Sequence, residues 1–564
     1  MKPAALMMAV GLLASAAGAQ AQDDVVFRAM RDELARSMRL RLDTMPRPYF
    51  IAYRVDETAG PFVGASLGSL LHSVESRSRF LTVELRVGDY AFDNTNYLGT
   101  GSAGLGAAGG FGAPLAQDDD YGTLRRQIWL ATDAAYKRAL EDLSRKRAAL
   151  QDAMPTDSIP DFSREDVVTT TDDTPVPLPA RQDVGALVAR LSALFREAPD
   201  IQRSSVDCEV TVRRSRYVNS EGTSFTRTTP WVSLTAVAST QAPDGRPLAD
   251  SYQTGARVWP GLPAVDSLAA GVRGLAAGLT RLRGASEADA YSGPVLLEGQ
   301  AAAQAFARLF ASRLVAARRP VSDNPMMERM VSQRDNPFMD QIGSRVLPHS
   351  LSVTDDPTLT TYEGHPTAGF RVDDDGVRSH ETRLVDRGML RTLLVTRAPV
   401  RGMLRSSGNR RGGGVAFGTL IVSSDSGLGA AALRARLLEL AAARGLGYGI
   451  VIRQLAEPSM LQVAPVTMLA AMGGSGPGGP MLATTEAVKV FPDGHEEPVR
   501  NADVGGITAE TFREIVAVSA VHSVYTAADT YVVPALLFED AFLRPARGEA
   551  PKLPVLSPPW VGGR

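Results

Sequence analysis

Residues 344–411 read SRVLPHSLSVTDDPTLTTYEGHPTAGFRVDDDGVRSHETRLVDRGMLRTLLVTRAPVRGMLRSSGNRR. Apolar runs of β type alternate here with acidic turns at Asp355-Asp356-Pro357, Asp373-Asp374-Asp375-Gly376 and Asp386-Arg387-Gly388. The stretch closes in the loop Ser407-Gly408-Asn409-Arg410-Arg411. Turn residues at this spacing predict a succession of short strands. His365 and His380 lie among the carboxylates, so a metal or hydrolytic site built from His365, Asp374 and His380 is one alternative. Asp-rich turns before glycine are also ordinary β-turn chemistry, and that reading is preferred. The closing loop joins guanidinium groups to a pliable backbone; a solvated loop is the preferred reading, with Asn409, Arg410 and Arg411 as candidates for holding a carboxylate or an extended peptide.

Working outward, the second half opens with a short strand at Gly293-Pro294-Val295-Leu296 and an alanine-rich helix from Ala301 to Ala317. After the acidic stretch the pattern predicts a strand at Val415–Ser423 and a helix at Ala430–Arg444 stopped by Gly445. A strand at Tyr448–Arg453 and a hairpin around Pro492-Asp493-Gly494 follow, then a helix beginning near Thr508 and a closing strand at Val532–Phe542. The first half predicts a helix at Val26–Arg41, strands at Tyr49–Val55 and Leu81–Val87, and a long helix at Tyr121–Leu150. Asp183 is expected to cap a further helix. Val206–Arg213 is expected to pair with the chain from Tyr217 onward, and Trp231–Ala238 follows.

The expected fold class is α+β, with two domains of mostly antiparallel sheet packed by long helices. We divide the chain into a signal peptide (1–21), an N-terminal domain (22–288), a β-rich C-terminal domain (289–544) and a proline-rich tail (545–564). The chain has 564 residues and a formal net charge of −2. That charge gives no electrostatic footprint for nucleic acid. Lys2, the apolar run Ala4–Gly18 and Ala19-Gln20-Ala21 form a secretory signal pattern, with cleavage expected after Ala21 and a periplasmic mature protein. No later stretch reaches the roughly 18 uncharged apolar residues of a membrane helix, so no stable membrane insertion is expected.

Cys208 is the one cysteine, on an alternating strand among valines, and reads as a buried structural thiol. The six histidines include no His-Glu-x-x-His pair. Gly64-Ala65-Ser66-Leu67-Gly68 matches G-x-S-x-G but lacks the strand-before, helix-after context of a nucleophile elbow.

Taken in order, several motifs resemble the TldD/PmbA family, also called TldD/TldE, known as modulators of DNA gyrase and U62-type metallopeptidases. They are Val218-Asn219-Ser220-Glu221-Gly222, Pro243-Asp244-Gly245, Gly293-Pro294-Val295-Leu296, Thr354-Asp355-Asp356-Pro357, Asp374-Asp375-Gly376-Val377, Asp386-Arg387-Gly388-Met389-Leu390, Ser407-Gly408-Asn409-Arg410-Arg411 and Val533–Asp540. The resemblance implies a two-domain fold and a dimer enclosing a cavity. It also implies a zinc peptidase subunit with His-Glu-x-x-x-His on the helix after the Gly-Pro-Val strand and a cysteine ligand near the C-terminus. Here that helix has neither histidine nor glutamate, and no cysteine follows Cys208. The chain is therefore more similar to the PmbA/TldE-type subunit and is expected to carry no cofactor. Zinc is expected in a TldD-like His-Glu-x-x-x-His partner, with a homodimer as the alternative, and an unfolded peptide as the ligand. A stand-alone hydrolase near His365 and His380 and a homodimeric scaffold are the competing readings.

Overall fold

The structure is a computed structural model that describes residues 24–98, 112–151, 158–324, 326, 336–457, 475–476, 479–546, 553 and 555. The expected signal peptide, most of the glycine-rich segment before Pro114 and nearly all of the tail lie outside the described residues.

The first half comprises α1 (Val25–Ser37), β1 (Pro48–Ser66), β2 (Ser69–Val87), α2 (Tyr121–Gln151), α3 (Arg181–Ala193), β3 (Arg203–Asn219), β4 (Ser224–Gln241), β5 (Pro247–Ala256) and α4 (Val265–Arg283). Its sheet runs β2-β1-β3-β4-β5, antiparallel throughout, with residues 113–114 beside β2 and 169–172 parallel to β4. Ile51, Tyr53, Val55, Val63 and Ala65 alternate onto one face of β1. There α1 and α2 cover one end of the sheet and α3 and α4 the other.

Several expectations change. The strand expected at Tyr49–Val55 is the first part of a 19-residue strand, because Asp56, Glu57 and Thr58 carry the pairing on to Phe62 and Val63. Val206–Arg213 and Tyr217 belong to one strand, β3, and the reversal comes at Asn219, whose Oδ1 accepts from the Glu221 and Thr223 amides. Asp183 stands in the first turn of α3, and the N-cap is Ala180. Helix α4 escaped the pattern reading because Gly271, Gly274 and Gly278 interrupt its apolar periodicity. Cys208 is fully buried, and burial pushes its thiol up to about 12.

The second half comprises β6 (Tyr291–Leu297), α5 (Gln300–Ala305), β7 (Leu351–Asp355), β8 (Thr382–Asp386), β9 (Thr419–Ser424), α6 (Ala430–Ala443), β10 (Gly449–Leu455), β11 (Leu482–Val490), β12 (Glu496–Arg500), β13 (Ala502–Gly505), β14 (Ile515–Thr526) and β15 (Thr530–Pro545). The sheet runs β8-β7-β9-β15-β6-β10-β11-β12, with β13 and β14 also on β15. Pairing is antiparallel except at β9/β15 and β6/β10. β6 is buried on both faces, with Val295 and Leu297 toward α5 and Leu296 toward α6. The expected helix 301–317 is only α5 followed by a π-helical turn at Phe306–Phe310 and a 3₁₀ turn at Ala311–Arg313. Phe306 and Phe310 wedge against Phe512, which bulky packing sets the irregular turn. In place of the helix expected near Thr508 there is a 3₁₀ turn at Thr511–Glu514 leading into β14. No described helix is long and apolar enough to cross a membrane.

Candidate functional site

The acidic turn 373–375 lies where the two sheets meet. Asp373 commits both carboxylate oxygens to backbone amides: Oδ1 accepts from Asp375 at 2.9 Å and Val377 at 2.8 Å, and Oδ2 from Arg410 at 3.0 Å. Burial, and then the neighbouring Asp375, push Asp373 up to about 8. Asp374 lies between two guanidiniums of the first sheet, Arg227 at 2.6 Å and Arg54 at 2.8 Å. Burial alone would raise Asp374, but Arg227, Arg54 and Arg411 hold it well below the usual carboxylate range. Its Oδ2 also accepts from the Gly412 amide at 2.8 Å. The carbonyl of Asp375 accepts from the Tyr217 hydroxyl at 3.0 Å. This is a clasp between the halves of the chain, and it leaves Asp374 no oxygen for a metal.

His365 and His380 do not join Asp374. His365 is exposed in a small hairpin opposite Tyr362, and His380 is exposed just before β8. Among the described residues no group of three His, Cys, Asp or Glu side chains could hold a metal ion. Of the three loop candidates, Asn409 is fully buried and braces Asp355 at 2.7 Å and the Ala416 carbonyl at 3.2 Å. Arg410 turns inward to Asp375 at 3.4 Å. Arg411 lines a cleft.

That cleft consists of three adjoining cavities between the sheets. The middle one, about 340 Å³, is lined by Ser251–Gly255 of β5, by Val524–Ala527 at the end of β14, and by Gln300, His365 and Glu457. It shares Trp231 and Ala527 with a cavity of about 430 Å³ that contains Arg411. It shares Ser251 and Tyr252 with one of about 450 Å³ against α4.

Behind the middle cavity stands α5, at the position after the Gly-Pro-Val strand. Buried Gln304 donates to the Glu457 carboxylate and accepts from the Leu455 amide at 2.8 Å. One turn on, Arg308 lies 3.4 Å from Glu457 and donates to the Ala456 carbonyl at 2.8 Å. The Tyr525 hydroxyl donates to the same carboxylate at 3.0 Å. Burial, and then Glu457, raise the Tyr525 pKa. These residues do not fit a zinc ion. Zinc takes imidazole, thiolate or carboxylate donors, about four in all. Here, among the described residues, Glu457 is the single anionic donor, and the Arg308 guanidinium already serves as its counter-charge. Sequence reading passed over Glu457, Tyr525 and Arg308. The available signal was two long polar side chains, Gln304 and Arg308, spaced one turn apart in a run otherwise of alanine, phenylalanine and leucine.

Residues 293–470 match the PmbA/TldA metallopeptidase C-terminal domain. No curated protein matches the chain. Among solved structures, the fold is similar to that of TldE from Thermococcus kodakarensis, with a TM-score of 0.58 at 12% identity over 91% of this chain and 99% of that one. It is similar to a proposed modulator of a DNA gyrase from Thermotoga maritima, with a TM-score of 0.56 at 15% identity over 88% and 96%. A corresponding protein from Bacteroides thetaiotaomicron gives 0.57 at 11% identity over 92% and 98%. Residues 293–470 thus match the PmbA/TldA metallopeptidase C-terminal domain, and the chain as a whole shares the two-sheet fold of these solved structures.

Proposed function

We propose that this chain is the non-catalytic, PmbA/TldE-like subunit of an exported metallopeptidase complex. It would enclose and position an unfolded peptide for a zinc-bearing His-Glu-x-x-x-His partner. The observation that carries this reading is the Gln304–Glu457–Arg308 set at the position where the family's metal helix stands. A carboxamide and a guanidinium on one carboxylate neither lower the pKa of a water nor polarise a carbonyl as a metal does.

What the chain retains is a cleft with strand edges. Among the described residues β5 pairs only with β4, β14 pairs with β15 and is bridged by Leu428 only near Ser519, and β5 and the far end of β14 line the middle cavity. An extended peptide can add to such an edge through main-chain hydrogen bonds with little regard to sequence. In the complex, Glu457 and Tyr525 would serve as polar contacts in the wall, and the partner would supply the chemistry. Export rests on the basic, apolar and small-residue order of residues 1–21.

The test is recovery of the tagged chain from the periplasm of its own host, with identification of what comes with it. A stoichiometric exported protein carrying His-Glu-x-x-x-His supports the reading. Recovery of a homodimer alone, with no second subunit at any salt concentration, contradicts the partner.

A further inference from the structure

Most charged groups inside this protein are paired. Arg54, Arg216, Arg227, Arg397 and Arg410 each hold a carboxylate. At one end of the cleft the pattern breaks. Half-buried Arg257, just beyond β5, and half-buried Arg411 line the cavity of about 430 Å³ with exposed Arg213 of β3 at its rim, and among the described residues no ion pair holds Arg257 or Arg411. Arg257 donates to the Thr367 carbonyl at 3.3 Å, which leaves the rest of its fork unused. Arg411 stacks over the Phe370 ring, 4.7 Å from its centroid. Burial and then the nearby Arg227 push Arg411 down to about 10, against the pull of Asp374 and Asp529, neither of which pairs with it directly. The one acid in this wall, Asp529, accepts from the Tyr531 hydroxyl at 3.2 Å, and burial raises its pKa.

Building on the peptide-cleft reading above, we propose that this end of the cleft is a carboxylate subsite, in which Arg411 and Arg257 hold the C-terminal carboxylate of the bound peptide. A guanidinium fork pairs with a planar carboxylate through two parallel hydrogen bonds. Trp231, Pro230 and Phe417 form the apolar part of the wall beside the arginines, so the residue bearing the carboxylate carries an apolar side chain. The peptide would then run from this anchor past Trp231 and Ala527 into the middle cavity, which fixes its direction relative to Glu457.

The experiment uses the full mature chain and a dansylated Gly-Ala repeat peptide ending in leucine, prepared as the free acid, as the C-terminal amide, and as the amide with one internal glutamate. Binding is followed by fluorescence anisotropy. The free acid is expected to bind about tenfold more tightly than the amide, the gain of one charge-assisted contact. Arg411→Gln should abolish that difference between acid and amide, and Arg411→Lys should restore part of it. If the glutamate-bearing amide matches the free acid, the subsite takes carboxylates but the C-terminal assignment is overturned. Equal binding of acid and amide to the unsubstituted chain overturns the subsite and leaves the peptide cleft standing. If none of the three peptides binds, the cleft reading fails together with the subsite.

Discussion

Arg397 grips Glu221 with both arms of its guanidinium, Nη1 at 2.7 Å from Oε2 and Nη2 at 2.8 Å from Oε1, across 176 positions of sequence. The guanidinium also lies 3.8 Å from the centroid of the Phe162 ring, and its side chain is 1% exposed. One contact thus ties the acidic β region to the turn after β3. Removing one partner of a buried pair leaves an uncompensated charge.

We expect Arg397→Ala to lower stability by about 3–5 kcal/mol, measured by urea unfolding at neutral pH. Arg397→Lys should recover little of it, because a lysine can neither form the fork nor stack on Phe162. A loss under about 1 kcal/mol for the alanine variant would show that the pair is not a structural clasp.

Removal of Gln304 strands two buried backbone groups of Leu455 and one side of Glu457. Gln304→Ala should cost roughly 1–3 kcal/mol for each group left without a partner. Thermal melting against the unsubstituted chain measures it. Gln304→Glu should be worse still, since it sets a second carboxylate against Glu457.

Three carboxyl groups whose titration is pushed upward make stability depend on pH. Burial pushes Asp250 and Asp355 up to about 7 and Asp373 up to about 8. A carboxyl raised in the folded state binds its proton more tightly there than in the unfolded chain. Its contribution is therefore complete below about pH 4 and is lost as pH rises through 7 to 8. Asp374, held low, behaves in the opposite sense and is lost only in strong acid. Between pH 5 and pH 8.5 the melting temperature should therefore fall. Asp250 accepts from Gln454 and the Ser251 amide, each at 2.9 Å, and Asp250→Asn should flatten part of that slope. A melting temperature that rises over this interval would contradict the assignment.

The G-x-S-x-G match is a hairpin turn. Ser66 and Ser69 close the ladder of β1 and β2, with Leu67 at φ 49° and Gly68 at φ 81° between them. Ser66→Ala should leave peptide binding and melting unchanged, whereas Gly68→Ala should cost about 1–2 kcal/mol for the left-handed backbone.

Sequence reading reached the α+β class, the long helix α2, the 482–500 hairpin and buried Cys208, because each rests on local periodicity or turn chemistry. The length of β1 and β3 was not legible, since residues such as Arg54, Asp56, Arg214 and Arg216 interrupt the apolar pattern and are satisfied by charges elsewhere in the chain. The same cause hid the meaning of Asp374. Its partners Arg54 and Arg227 are far away in sequence, so an interlocking carboxylate and a metal-binding one look alike until the sheets are brought together. Helix α5 was overextended because alanine favours helix, while the packing of Phe306 and Phe310 against Phe512 breaks its regularity.

The measurement that bears most directly on the account is metal content by plasma mass spectrometry of the pure mature chain, loaded with excess zinc and then desalted, alongside a peptide-cleavage assay. We expect less than stoichiometric zinc and no cleavage that a chelator abolishes. One zinc per chain, with cleavage lost on chelation and restored by zinc, would contradict it.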